Sequence, residues 1–466
     1  MARSVVIVGA GPAGMSAAIE AQARGARVTV VDEAARPGGQ IYRQAHPALK
    51  TGDFAEASER ARKERLIGAF ERVLTRIEYR PESLAFALFK TGDLHIANGT
   101  RTEVLKADAI VLTTGVREIA VPFPGWTTPG VMYAGGAQAL LKSQSVLAGR
   151  RVVVAGVGPL PLVVAAQILR AGGSIAALAM LNSLNVAGWH LLAIWNGRTL
   201  VREGLRYLAT VMRARVPLLT SYVPVRVNGG EQVQSVVLAR VDRQGTVVPR
   251  TEREIVCDVV ALNYGFASNS ELAGMAGTAM RYDPPRGGWL PVVDELGRTS
   301  VAGIFAAGDA AGLRGALVAE TEGQIVGAAA AAAPAEMVLP GFRRGIAHAL
   351  TTRERLNSFQ GMMQELLRVP DGLLRLTTDE TIVCRCENVT LGALRDALTA
   401  GHVVPNTIKR VTRAGMGWCG GRTCLHAVSA LAQLYGAPSA AMMTPRPLAR
   451  PIPLASLANQ AAAGQP

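Results

Sequence analysis

Aromatic side chains make up only 5% of this chain, and acids are scarce beside bases: 35 Asp and Glu against 49 Lys and Arg in 466 residues. The net charge is +14 and the pI about 10.1. Such a surface can attract nucleic acid, anionic lipid or an acidic protein. The positive residues are mostly Arg, spread along the chain, with no dense basic run interleaved with aromatics, so nucleic acid is not an expected partner. Long apolar runs are missing too. The best stretch, residues 152–195, is broken by Gly156, Gly158, Pro159, Pro161, Arg170, Gly172 and Gly173, which argues against a spanning helix. The first residues read as strand and turn, so no signal peptide is expected. The setting expected is cytoplasmic, with peripheral association at the inner face of the membrane as the variant. Cysteine is nearly absent until the end: Cys257 stands alone among the first 380 residues, in an apolar run that suits a buried small hydrophobe. With no Cys-x-x-Cys there, dithiol redox chemistry is excluded from that part of the chain.

Glycine, by contrast, is placed at the ends of β runs. Residues 5–11, VVIVGAG, recur as residues 152–158, VVVAGVG. Each copy enters a glycine turn and an Ala-rich helix pattern, and each is followed by a later apolar run ending in glycine, residues 109–115 and 259–265. This order predicts an α/β fold with two Rossmann-like dinucleotide-binding units, one inserted in the other. The first would take residues 1–118 and 287–340, the second residues 119–286. Residues 341–377 read as a helical linker, 378–436 as a small helical module holding four cysteines, and 437–466 as a Pro-rich extended tail.

The first glycine motif meets every demand of a dinucleotide site. Gly9 permits a tight turn, Gly11 lets the backbone approach a pyrophosphate, and Gly14 lets helix and strand pack closely. Pro12 suits the first helical turn, and Ala13 completes Gly-x-Gly-x-x-Gly. The helix start offers free amides and a positive dipole end to phosphate. A second β run ends in Asp32 and Glu33, where an acid would accept from a ribose. Two further segments favour FAD over NAD. Gly38, Gly39 and Gln40 follow the second strand directly and would pass close to a ribityl or pyrophosphate group. Residues 303–309 read as a strand ending in Gly308-Asp309 before a helix, with a plain helix cap as the other reading of Asp309. Thr114 and Gly115, ending the strand at 109–115, and Arg43, beside the Gly-Gly-Gln turn, complete the candidate set; a surface role for Arg43 fits equally well. The second motif is degraded: Pro161 replaces the third small residue, and neither acid nor Arg stands near residues 179–181. NAD(P) is therefore not an expected cofactor.

Cys384-x-Cys386 is followed by Cys419 and Cys424. Four thiolates from two short loops suit a [2Fe–2S] cluster, because iron and sulfide take soft anionic ligands. Structural zinc and free thiols remain the alternatives, zinc more often using Cys-x2-Cys pairs. Gly415, Gly417, Gly420 and Gly421 would let backbone N–H groups approach cluster sulfurs. The six histidines, His46, His95, His190, His348, His402 and His426, show no ligand spacing, and no catalytic base is assigned.

Residues 1–330 resemble flavoproteins of the glutathione-reductase type, in which an acid such as Asp309 binds the ribityl chain. The cysteine spacing resembles bacterioferritin-associated-ferredoxin-like (BFD-like) [2Fe–2S] domains. The full order (the Gly9–Gly14 motif, Pro37-Gly-Gly-Gln-Ile-Tyr-Arg43, Thr113-Thr-Gly-Val-Arg-Glu118, Pro122-Phe-Pro-Gly-Trp126, then the cysteine pairs) resembles the α or A subunits of opine oxidases, hydroxyproline and proline dehydrogenases, and the FAD subunit of hydrogen cyanide synthase. The resemblance implies an FAD- and [2Fe–2S]-containing electron-transfer subunit of a heteromeric amino-acid or amine dehydrogenase. Its partners would be a flavoprotein β subunit of the glycine/sarcosine-oxidase type and a small ferredoxin-like subunit. Some relatives hold another adenine nucleotide in the FAD position. A self-sufficient NAD(P)H-dependent acceptor reductase is the alternative.

Overall fold

The computed structural model describes residues 2–45, 48–49, 52–119, 121–182, 191–437, 442 and 447–463. His46, His190 and residues 443–446 lie outside them.

In strand β1 (Ser4–Val8) successive side chains point to opposite faces, and both faces are covered. Val5 and Ile7 pack with helices α1 (Pro12–Ala23), α2 (Ala57–Val73) and α8 (Ala316–Ala331). Val6 and Val8 face strands β4 (Leu84–Leu88) and β5 (Leu94–Asn98), which with β6 (Arg101–Leu105) form an antiparallel meander. This burial on two sides is why the strand is an unbroken β-branched run. The parallel sheet runs in the order β20 (Ile304–Ala306), β7 (Ala109–Leu112), β1, β2 (Arg27–Val31), β3 (Glu78–Arg80). Helices α1 and α8 approach backbone to backbone. A Cβ at Gly323 would collide with the Ala13 carbonyl oxygen, and one at Gly327 with that of Ala17.

A second parallel sheet repeats the design in the order β12 (Leu218–Thr220), β11 (Ile175–Met180), β10 (Val152–Gly156), β16 (Val259–Asn263), β9 (Val131–Tyr133). Val152 and Val154 face α3 (Ala134–Gln144), α4 (Pro159–Arg170) and α6 (Arg198–Arg213). Val153 and Ala155 face the antiparallel sheet of β13 (Tyr222–Asn228), β14 (Ser235–Arg240) and β15 (Arg253–Val256). The chain leaves the first sheet through β8 (Val116–Glu118) and returns through β17 (Phe266–Ser268), and these two strands pair antiparallel. The hairpin β18 (Met280–Asp283) and β19 (Gly288–Pro291) follows. Helix α7 (Glu271–Met275) lies before it, and Leu272, Ala273 and Ala276 already pack against Val6 and Ile110 of the first sheet.

Helix α9 (Pro340–Leu366) crosses the molecule and packs on the short α5 (Leu191–Asn196) through Phe359 and Met362. The cysteine module follows: the pair β21 (Ile382–Cys384) and β22 (Val389–Thr390), then α10 (Leu391–Thr399), α11 (Pro405–Thr412) and α12 (Leu425–Leu434) around their own core. Thr390 caps α10, its hydroxyl accepting from the Ala393 N–H at 3.3 Å. The tail corrects the expectation of extension throughout 437–466. Beyond Pro453 there is no proline until the last residue, and the Leu- and Ala-rich segment forms α13 (Leu454–Ala463). The tail straps the meander: Ala449 N–H donates to Phe86 at 2.7 Å, and Ile452 and Leu457 pack on Phe86, Ala87 and Ala97. Among the described residues no helix is long and apolar enough to cross a membrane.

Candidate functional site

The candidate nucleotide residues converge at the carboxyl ends of β1, β7 and β20, where open α/β sheets place their ligands. Gly9 has φ +104°, and a Cβ there would lie 2.5 Å from the Thr113 carbonyl oxygen. A Cβ at Gly14 would collide with the carbonyl oxygen of Gly9. Gly11 caps α1 without any side-chain hydrogen bond, Pro12 and Ala13 enter the first turn, and no acid stands in that turn. The helix start therefore keeps free N–H groups and a positive end for an anion. The second loop closes over it: Gly38 N–H donates to Ala10 at 2.8 Å, and a Cβ at Gly39 would lie 2.9 Å from Gly11 Cα. This close approach explains the double glycine. Arg43 donates to the Gln40 side chain at 2.6 Å.

Asp32 is nearly buried, and its carboxylate accepts from the backbone N–H of Ala10 and, at 2.7 Å, from that of Ala34. Burial raises its pKa while these two bonds lower it. Its present work is to fasten the glycine turn to the end of β2. Glu33 is half exposed and pairs with Arg450 of the tail strap. Thr114 and Asn269 exchange hydrogen bonds at 2.6 and 2.9 Å, and Gly115 accepts from Asn269 N–H at 2.9 Å. Asp309 accepts from the N–H groups of Arg314 and Gly315 at 2.9 and 3.1 Å, shaping the entry to α8, and burial raises its pKa. Gly308 N–H donates to Glu322 at 2.9 Å, and Arg314 pairs with the same carboxylate. Sequence reading passed over Glu322; an acid inside a helix as apolar as 316–331 was its signal. The open helix start, the glycine cradle and the buried acids at its rim fit a dinucleotide such as FAD.

The second glycine turn does not fit one. Leu367 Cδ1 stands 3.4 Å from the Cβ position of Gly158, at the start of α4. Asn182, two residues past β11, donates to the Leu366 carbonyl at 2.9 Å. The end of α9 and the residue after it thus crowd the glycine turn at the start of α4.

In the cysteine module Cys384 and Cys424 are 1% exposed, while Cys386 and Cys419 are partly exposed. Among the described residues no three or more His, Cys, Asp or Glu side chains are arranged to hold a single metal ion. The four cysteines come from two loops of one module, two of them buried and two partly exposed, as the ligands of one cluster would. The Cys424 thiol and then the N–H groups of Gly415, Glu387 and Cys386 bring Cys384 down to about 5. A Cβ at Gly417 would collide with Cys386, so glycine is needed for the loops to close.

The module is docked on β8. Arg117 Nε donates to the Arg422 carbonyl, in the loop between Cys419 and Cys424, at 2.9 Å. The same guanidinium binds Ser268 O at 2.9 Å and the Glu271 carboxylate at 2.8 Å. Trp126 Nε1 donates to Ile382 O at 2.6 Å, and Arg385 lies over the Trp126 ring at 5.5 Å. Glu118 binds Asn263 Nδ2 and Gly135 N–H at 2.8 and 2.9 Å, and burial pushes its carboxyl up to about 7. Tyr133 is raised first by burial and then by the charge of Glu118. Burial, then Arg117, pushes His426 down to about 4. None of these contacts was readable from the motifs.

The family model described as pyridine nucleotide-disulphide oxidoreductase matches residues 3–333. The chain belongs to this family. A second model, the BFD-like [2Fe-2S] binding domain, matches residues 382–433. This family member is an FAD-dependent oxidoreductase, and its cofactors are FAD and a [2Fe–2S] cluster. It is 32% identical to the opine oxidase A-subunit of Agrobacterium tumefaciens (strain Ach5), over 91% of this chain and 84% of that protein. It is 30% identical to hydrogen cyanide synthase subunit HcnB of Pseudomonas aeruginosa, over 97% and 98%. Both relatives are named as subunits. L-proline dehydrogenase from P. horikoshii shares the fold, with TM-score 0.68 and 21% identity over 98% of this chain and 79% of that one.

Proposed function

We propose that this chain is the electron-relaying subunit of a heteromeric dehydrogenase or oxidase that breaks the C–N bond of an amino acid or amine, in the opine, hydroxyproline/proline, sarcosine or glycine class. FAD sits on Gly9, Gly11, Pro12, Ala13 and Gly14, with Asp32, Glu33, Gly39, Gln40, Arg43, Thr114, Gly115, Gly308 and Asp309 at its rim. Cys384, Cys386, Cys419 and Cys424 hold the cluster. Bound FAD exchanges electrons in pairs or singly, and the cluster carries one at a time. The observation that carries this reading is strand β8: Thr114 and Gly115 lead into it from the nucleotide cradle, and Arg117 within it grips the cysteine loop. One short strand thus links the two sites, as electron relay requires. The chain's partner is a flavoprotein β subunit of the glycine/sarcosine-oxidase type, with a small ferredoxin-like subunit beside it.

Anaerobic purification tests this reading. Iron, acid-labile sulfide and FAD should be recovered, and the isolated chain should not oxidise amino acids until a β subunit is added. Robust turnover by the chain alone would overturn it.

A further inference from the structure

The outer end of the cysteine module differs from its inner end in a way the relay alone does not explain. Cys384 and Cys424 are enclosed by Val383, Leu391, Ala427 and Val428, whereas Cys386 and Cys419 reach the surface. Next to Cys419 stands Trp418, 79% exposed, with Met416 46% and Val411 51% exposed. An aromatic left this open to water, with two exposed apolar residues within seven positions of it in the chain, points to a contact surface rather than packing. The segment that carries Trp418 has charges of one sign. Residues 404–423 contain Lys409, Arg410, Arg413 and Arg422 and no Asp or Glu. The nearest acid in the facing loop, Glu387, is taken up by Arg413 at 2.7 Å.

We infer that the surface around Trp418 docks an acidic redox protein, whose carboxylates meet the cations of α11 and its flanks while an apolar group covers Trp418. The inference rests on the cluster reading above and adds where electrons cross to another molecule. Small, weak patches are typical of electron-transfer encounters, with aromatic anchors supplying affinity and charged rims supplying attachment rate. A protein is favoured over anionic lipid because membrane attachment scales with buried apolar area, and this patch is a single Trp with two smaller neighbours.

Isothermal titration calorimetry of the full chain, purified anaerobically with its iron and sulfide, against an acidic flavodoxin tests it. Binding should weaken about tenfold or more on moving from low to physiological ionic strength. Trp418→Ala and Arg410→Glu should each weaken it about tenfold with iron, sulfide and the EPR signal unchanged. Intact clusters with binding insensitive to both variants and to salt would overturn the docking surface alone. So would binding to phosphatidylglycerol vesicles that the same variants abolish, since lipid would then be the occupant. A chain without iron and sulfide would overturn the cluster reading and this inference with it.

Discussion

Gly39 sits at φ +61° with its Cα facing Gly11, so it has neither the conformation nor the space for a side chain. Gly39→Ala should therefore lower the FAD content of the purified chain several-fold, read by absorbance and by nucleotide released on heating. Glu322 makes a different demand. It is 6% exposed and satisfies both Arg314 and the Gly308 N–H. Glu322→Ala strands a guanidinium and should cost about 3–5 kcal/mol in chemical denaturation. Glu118 predicts a pH effect. Its folded-state pKa, about 7, lies above the ordinary 4.5, so the folded chain holds this proton more tightly than the unfolded one. The associated stability is complete below about pH 4.5, declines as pH rises, and is gone above about pH 7. Glu118→Gln should flatten that decline, visible as a denaturation midpoint that varies less across this window.

Among the elements, the strap offers the cleanest test. Removing residues 447–466 uncovers Phe86, Ala87 and Ala97 and releases Glu33. The truncated chain should melt a few degrees lower, while Arg450→Ala alone should change little, since exposed ion pairs contribute about 0–1 kcal/mol. The first sheet and its glycine turn were legible because strand period and glycine sterics are local: residues 5–14 announce both. The helix at 454–463 was hidden behind Pro445, Pro447, Pro451 and Pro453, whose spacing governed the reading of residues that favour helix by themselves. Arg117 with Arg422, and Asn182 with Leu366, join residues some 300 and 180 apart. No motif encodes such contacts, because they exist only once the module is docked.

For the whole molecule, the crowded second turn bears on the cofactor economy. With Leu367 over Gly158, anaerobic addition of NADH should leave the flavin spectrum unchanged. Rapid bleaching would favour the self-sufficient reductase instead. The pairing of Glu118 with Phe266 also has an architectural consequence. The chain's exit to the second sheet and its return stand side by side, so everything between them is joined covalently through one doorway. A short turn joining the two posts could close it and leave the first sheet whole. The cysteine module is held by one post through Arg117 and by the inserted part through Trp126, and so acts as the bolt across that doorway.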